Sequence, residues 1–85
     1  MRIDELKRIA IENNYEFYNG YARIKISRRV RDYDFRNKIS IGKYLINELW
    51  ISIMECDDDD LKVIKAAIEF TETPLDEREE KKNIT

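Results

Sequence analysis

Apolar positions along the chain recur with helical spacing at two places, and with a period of two between them. Near the start, Ile3, Leu6, Ile9, Ala10 and Asn13 fall on one helical face, with Asp4 and Glu5 close to the positive end of the helix dipole. This spacing predicts a helix over about 2–14. Next, Asn19-Gly20 separates two short apolar and aromatic runs, YEFY and YARIKIS. Such a pair tolerates the positive φ of a type I′ turn, so it predicts a hairpin between strands at about 15–18 and 21–27. In the second strand Ala22, Ile24 and Ile26 point one way, and Tyr21, Arg23, Lys25 and Ser27 the other.

The stretch RRVRDYD reads as a polar loop. After it, Phe35, Ile39 and Ile41 alternate with Arg36, Lys38 and Ser40, which predicts a strand at about 34–41. Residues 44–54 have two readings. A strand at 48–54 buries Leu49, Ile51 and Ile53 and puts Trp50 and Ser52 on the opposite face, whereas a helix over 44–50 also fits; the strand is preferred. A second long helix is predicted over about 60–71, with a stripe of Leu61, Ile64, Ala67, Ile68 and Thr71 widened by Val63, Ala66 and Phe70. A short last helix is expected to open at Thr73-Pro74, with Thr73 as cap, Asp76 in the reciprocal capping position and a Glu77–Lys81 pair one turn apart.

These elements predict a single α+β domain over residues 1–85. Its sheet would be a small antiparallel one of three to four strands, with two main helices on one face and a short C-terminal helix. The expected core is Leu6, Ile9, Ile24, Ile26, Phe35, Ile39, Ile41, Leu49, Ile51, Leu61, Ile64 and Ile68.

Composition narrows the chemistry. With 85 residues the chain can bury one small core, and not a core plus an enclosed substrate cavity. It has no histidine, one cysteine and two glycines. No Ser/Cys–His pair, ordinary zinc site or glycine-rich phosphate loop is available from that set. A non-enzymatic protein without metal or cofactor is therefore expected. A lone Cys56 forms no internal disulfide, the N-terminus does not resemble a signal peptide, and no apolar run approaches the ~18 residues that span a bilayer. These features predict a cytoplasmic protein with no membrane contact, in which Cys56 is a small, partly buried side chain.

Charge sorts by position. Residues 21–43 carry eight Lys/Arg against two Asp, and residues 44–85 five against twelve acids, so a near-neutral total of −2 hides a basic block beside an acidic one. Two candidate binding surfaces follow. The basic one comprises Arg23, Lys25, Arg28, Arg29, Arg31, Arg36 and Lys38, with Tyr21 and Trp50 among them. A polar outer sheet face explains it most simply, and a platform for single-stranded nucleic acid is the functional reading. The acidic surface is Glu55, Asp57, Asp58, Asp59 and Asp60. Capping and solvation account for it, and imitation of a phosphate track, extended by Glu72, Asp76, Glu77, Glu79 and Glu80, is the functional counterpart. An EF-hand loop from Asp58 fails, because Lys62 and Val63 fall where an oxygen ligand and a glycine are needed. Nuclease-like triplets at Glu5-Leu6-Lys7, Asp60-Leu61-Lys62 and Glu79-Glu80-Lys81 lie on predicted helices, where carboxylates do not converge on one ion.

The closing pattern at Thr73, Pro74, Glu77, Arg78, Glu79, Glu80, Lys81 and Lys82, with the early NNYEFY, YARIKI and DYDF runs, resembles a family of small accessory proteins from phages and prophages of Gram-positive bacteria. The resemblance implies a host bacterial cytoplasm and a role against host defence or host machinery. The expected function is then a non-enzymatic phage protein that binds and inhibits a host protein. An anti-CRISPR blocking a Cas effector is its most concrete version. The alternative is a nucleic-acid-binding regulator using the basic sheet face.

Overall fold

The computed structural model describes residues 1–30 and 36–79. Helix α1 (Ile3–Glu12) leads into strands β1 (Glu16–Asn19), β2 (Arg23–Arg29), β3 (Arg36–Gly42) and β4 (Leu49–Ser52). Helix α2 (Asp58–Glu72) and a 3₁₀ turn at Leu75–Glu77 complete the fold. The strands pair antiparallel in the order β1-β2-β3-β4. This is the predicted α+β architecture, with both helices on one sheet face. The helical alternative for 44–50 does not occur.

Helix α1 stops because Asn13 and Asn14 compete for its last carbonyls. Asn13 Nδ2 donates to Ile9 O at 2.8 Å, and Asn14 takes a left-handed conformation (φ 66°) that returns the chain toward the sheet. The hairpin after it differs from the expected one. Neither Asn19 nor Gly20 has positive φ, so the turn is not type I′. Asn19 pairs with Ile24 across a wider loop closed by Gly20 N donating to Arg23 O at 2.9 Å, and Ala22 is exposed outside the strand rather than inward. A side chain at Gly20 would meet that same carbonyl at 2.7 Å, so the close approach requires glycine.

Leu6, Ala10, Tyr15, Ile24, Ile26, Ile39, Ile41, Val63, Ala66, Ala67 and Phe70 form one buried cluster between sheet and helices. Several predicted core residues are less buried than expected, although Ile9, Leu49 and Ile64 still pack against this cluster. Ile9, Leu49 and Ile64 are only partly buried, Ile51, Leu61 and Ile68 are exposed, and Phe35 falls outside the described residues. Helix α2 is rotated about its axis from the predicted stripe, so that Asp60, Val63, Ala66, Ala67, Phe70 and Thr71 face inward. β2 also runs on past its predicted end through Arg29 to a buried Val30, where a polar loop was expected.

The C-terminal segment is clamped by Arg78, which is nearly fully buried. Its guanidinium donates to the carbonyls of Thr73 (2.9 Å), Gly42 (3.0 Å) and Thr71 (2.8 Å), and lies 4.8 Å from the centroid of the Phe70 ring. It thus places a cation at the negative end of α2, whose last turn has no basic residue of its own. Burial lowers the pKa of Arg78 from its ordinary value. The backbone closes the same corner: Ile3 N donates to Arg78 O at 2.6 Å, and the N-terminal ammonium donates to Thr73 Oγ1 at 3.0 Å. Thr73 does not open a new helix. It ends α2, with its hydroxyl donating to Glu69 O at 2.8 Å, and Pro74 precedes only a single 3₁₀ turn without a side-chain cap. Lys81, its proposed salt-bridge role and Lys82 lie outside the described residues.

Replacing Arg78 by Met leaves three buried carbonyls without their charged donor. We expect a loss of about 3 kcal/mol in urea unfolding, with Arg78→Lys falling between the two because an ammonium cannot span all three acceptors.

Candidate functional site

Strand parity divides the basic residues between two faces. Residues of β2 and β3 that share parity with Ile24 and Ile39 point to the helices, and the others point outward. Arg23, Lys25, Arg29, Arg36 and Lys38 therefore occupy the open face. Arg28 does not, and Arg31 lies outside the described residues.

Arg28 reaches inward to Asp60. Its Nε and Nη2 donate to Asp60 Oδ1 and Oδ2 at 2.6 and 2.7 Å, a bidentate pair. Asp60 is fully buried, so it is not part of an acidic docking surface as expected. Its Oδ1 also accepts from the Tyr15 hydroxyl and, at 3.3 Å, from Asn37 Nδ2. Oδ2 accepts from Asp57 N at 2.9 Å, and Asp57 Oδ1 accepts from Asp60 N at 3.1 Å, which completes a capping box at the start of α2. Asn37, buried beside them, links this group to the next loop: it donates to Glu55 O at 2.8 Å and accepts from Met54 N at 3.0 Å. Burial pushes the Asp60 carboxyl up, but the hydrogen bonds from Arg28, the Asp57 backbone and Tyr15 outweigh it and hold the carboxyl well below the usual range. The same hydrogen bond raises Arg28, and burial followed by the bond to Asp60 raises the Tyr15 hydroxyl. No buried side-chain polar atom among the described residues lacks a partner. The network is structural.

The open face is the candidate binding site. In register, Tyr18, Lys25, Ser40 and Trp50 form one row across all four strands, and Glu16, Ser27, Lys38 and Ser52 form the next. The aromatic ends of the first row are exposed, Tyr18 by 64% and Trp50 by 53%. Beside Trp50 lies a groove of about 600 Å³ walled by Arg23, Lys25, Arg36, Lys38 and Trp50, with Ser27, Ser40 and the backbone of Ile26 and Ile39 at its base, since those two side chains turn to the helices. Two arginines are already engaged. Arg23 donates to Ser40 Oγ at 2.6 Å and pairs with Glu48, and Arg36 pairs with Glu16 at 2.6 Å and contacts Ser27. Lys25 and Lys38 make no ion pair among the described residues, so they carry the charge available to a ligand. Tyr21, expected on this face, instead projects from the hairpin turn, while Tyr18 was missed although it alternates with Phe17.

The remaining acidic residues Glu55, Asp57, Asp58 and Asp59 are exposed at the start of α2, as is Cys56, which was expected to be partly buried. Residues 58–69 are helical throughout, leaving no loop for an EF-hand. Among the described residues no three His, Cys, Asp or Glu side chains are grouped to hold a metal ion, and no helix is long and apolar enough to cross a membrane. No protein-family model, curated protein or solved structure matches the chain.

Because the Asp60 carboxyl is held below its unfolded-state value, it stabilises the fold above about pH 4 and that contribution is lost as pH falls through the unfolded toward the folded value. Asp60→Asn should cost about 3–5 kcal/mol near neutrality. In unfolding measured across the acid range, the gap between wild type and variant should narrow as pH drops; a gap independent of pH would contradict the assignment.

Proposed function

We propose that this is a non-enzymatic phage accessory protein that inhibits a host protein by occupying it, with the open sheet face as its working surface. The observation that supports this reading is the groove beside Trp50. It sets the exposed Trp50 ring beside a few cations, with Tyr18 exposed at the far end of the same row, and Trp, Tyr and Arg are the residue types that dominate the centres of protein interfaces. Pairing of Arg23 and Arg36 with Glu48 and Glu16 leaves a modest positive field, suited to an acidic protein patch around an apolar anchor. The resemblance of the closing pattern to phage proteins supplies the setting, the host bacterial cytoplasm. A Cas effector is the most concrete target, which makes the protein an anti-CRISPR in that version.

A second reading is favoured by one specific feature. The Tyr18–Lys25–Ser40–Trp50 row alternates stacking surfaces with a phosphate-seeking cation across the sheet, an arrangement that suits single-stranded nucleic acid. The two readings separate by salt and by residue. Nucleic-acid affinity should fall steeply with salt and vanish in Lys25→Glu plus Lys38→Glu.

Affinity purification from a CRISPR-bearing host followed by mass spectrometry tests the lead reading. The captured protein should be lost or bound about 30-fold more weakly with Trp50→Ala. It should be retained with Asp58→Lys plus Asp59→Lys. Unchanged Cas cleavage at saturating protein rejects the anti-CRISPR version.

A further inference from the structure

Five residues whose spacing marks them as core gather along one side of the fold: Leu49 and Ile64 pack against the edge of the core, while Ile51, Leu61 and Ile68 are exposed. β4 is the last strand of the sheet; α2 packs on β3, and α1 lies on the opposite side against β1. Two contacts tie the ends of α2 to the segments that flank β4. Asn47 N donates to Thr71 O at 3.2 Å near the C-terminal end of α2, and Asn37 holds Met54 and Glu55 beside Asp60 at its N-terminal end. Leu61, Ile64 and Ile68 share one flank of α2, turned away from the Ala66 side that α1 approaches. Leu61 and Ile68 with Ile51 of β4 make an exposed apolar strip, bordered by Leu49, Ile53 and Ile64, which pack against the edge of the core. Leu61 is 44% exposed, Ile68 41% and Ile51 36%.

The same strand has an unpaired backbone edge. Gly42 N donates to Glu48 O at 2.9 Å, so in this antiparallel register residues 48, 50 and 52 turn their amides to β3. The N–H and C=O groups of Leu49, Ile51 and Ile53 therefore point outward. In a chain whose residues are 40% charged, Leu49 to Met54 contains no charge, proline or glycine, the devices that usually protect an edge.

We propose that β4 pairs antiparallel with β4 of a second copy, about a two-fold axis through Ile51. This register sets Ile51 opposite itself and Leu49 opposite Ile53, so every outward amide of the edge is matched. It also places Trp50 opposite Ser52 on the open face, preserving the parity of both sheets. The two α2 flanks then cover the seam, each burying Leu61, Ile64 and Ile68 over the partner's strand. An isologous contact of this kind needs a surface complementary to itself, and an uncharged strip beside an unpaired strand meets that requirement without placing like charges together. β1, the other edge, lies under α1 and offers no equivalent strip. The pairing is independent of what the open face binds.

Sedimentation velocity from micromolar to near-millimolar protein tests it. The wild type should be a dimer, Ile51→Lys and, separately, Ile68→Lys should weaken dimerisation at least tenfold, and Ile11→Lys, an exposed position on α1, should not. All three positions are solvent-exposed, so unchanged thermal melts of the diluted variants verify that they fold. In a Cys56→Ser background, Ile51→Cys should form a disulfide-linked dimer on oxidation, since opposed strand residues lie within disulfide reach. A wild type that stays monomeric, a dimer indifferent to Ile51→Lys, a failure of Ile51→Cys to cross-link, or assemblies larger than a dimer would each overturn the proposal.

Discussion

The buried carboxylate of Asp60 joins nearly every part of the fold. Arg28 brings β2 to it, Asn37 brings β3 and the loop after β4, Tyr15 brings the exit from α1, and the Asp57 amide brings the first turn of its own helix. An ionised group removed from water is tolerated only when its lone pairs are filled and its charge is matched, and here both conditions hold. The geometry has a further effect. Because Asp60 must point inward to meet Arg28, α2 is held at one rotation about its axis. That rotation places Val63, Ala67 and Phe70 in the core and leaves Leu61, Ile64 and Ile68 on the flank.

This explains where sequence reasoning succeeded and where it did not. Local sequence pattern identified α1, all four strands and α2, because those patterns are written into neighbouring residues. It centred the inward face of α2 on Leu61, Ile64 and Ile68 rather than on Val63, Ala67 and Phe70, because the apolar residues of that helix spread over more than half its circumference and a single buried aspartate selected among the faces. Asp60 itself was hidden in a run of four identical residues, any of which suits a helix start. Arg28 was more accessible to inference. It shares parity with Ile24 and Ile26, so extending the strand by one residue places it inside. Asn37 sits between Phe35 and Ile39 with inward parity and carried the same signal. The hairpin formed but its turn type differed for another reason: Asn19-Gly20 permits a tight turn, but the pairing of Asn19 with Ile24 leaves four residues to be accommodated.

The closing sequence pattern takes on a physical meaning. Thr73 and Arg78 act on the end of α2, the end of β3 and the N-terminal residues together, so their roles in the pattern are architectural. The surfaces left for interaction are correspondingly distinct. The open sheet face carries Lys25, Lys38 and exposed aromatics, the start of α2 carries exposed carboxylates, and the β4 side is uncharged and apolar. The two charge blocks of the sequence are therefore not two intact patches, since their inward members, Arg28 and Asp60, neutralise each other in the interior.

The claim that Asp60 sets the rotation of α2 is tested most directly by thiol labelling in a Cys56→Ser background. Single cysteines at Ala67 and Ile68 report the buried face and the flank. With Arg28 and Asp60 intact, a cysteine at position 68 should label far faster than one at 67. When the pair is replaced by Arg28→Met plus Asp60→Leu, the account predicts that this ordering collapses as the helix turns its apolar flank inward. An undiminished difference between the two positions in that background would contradict it.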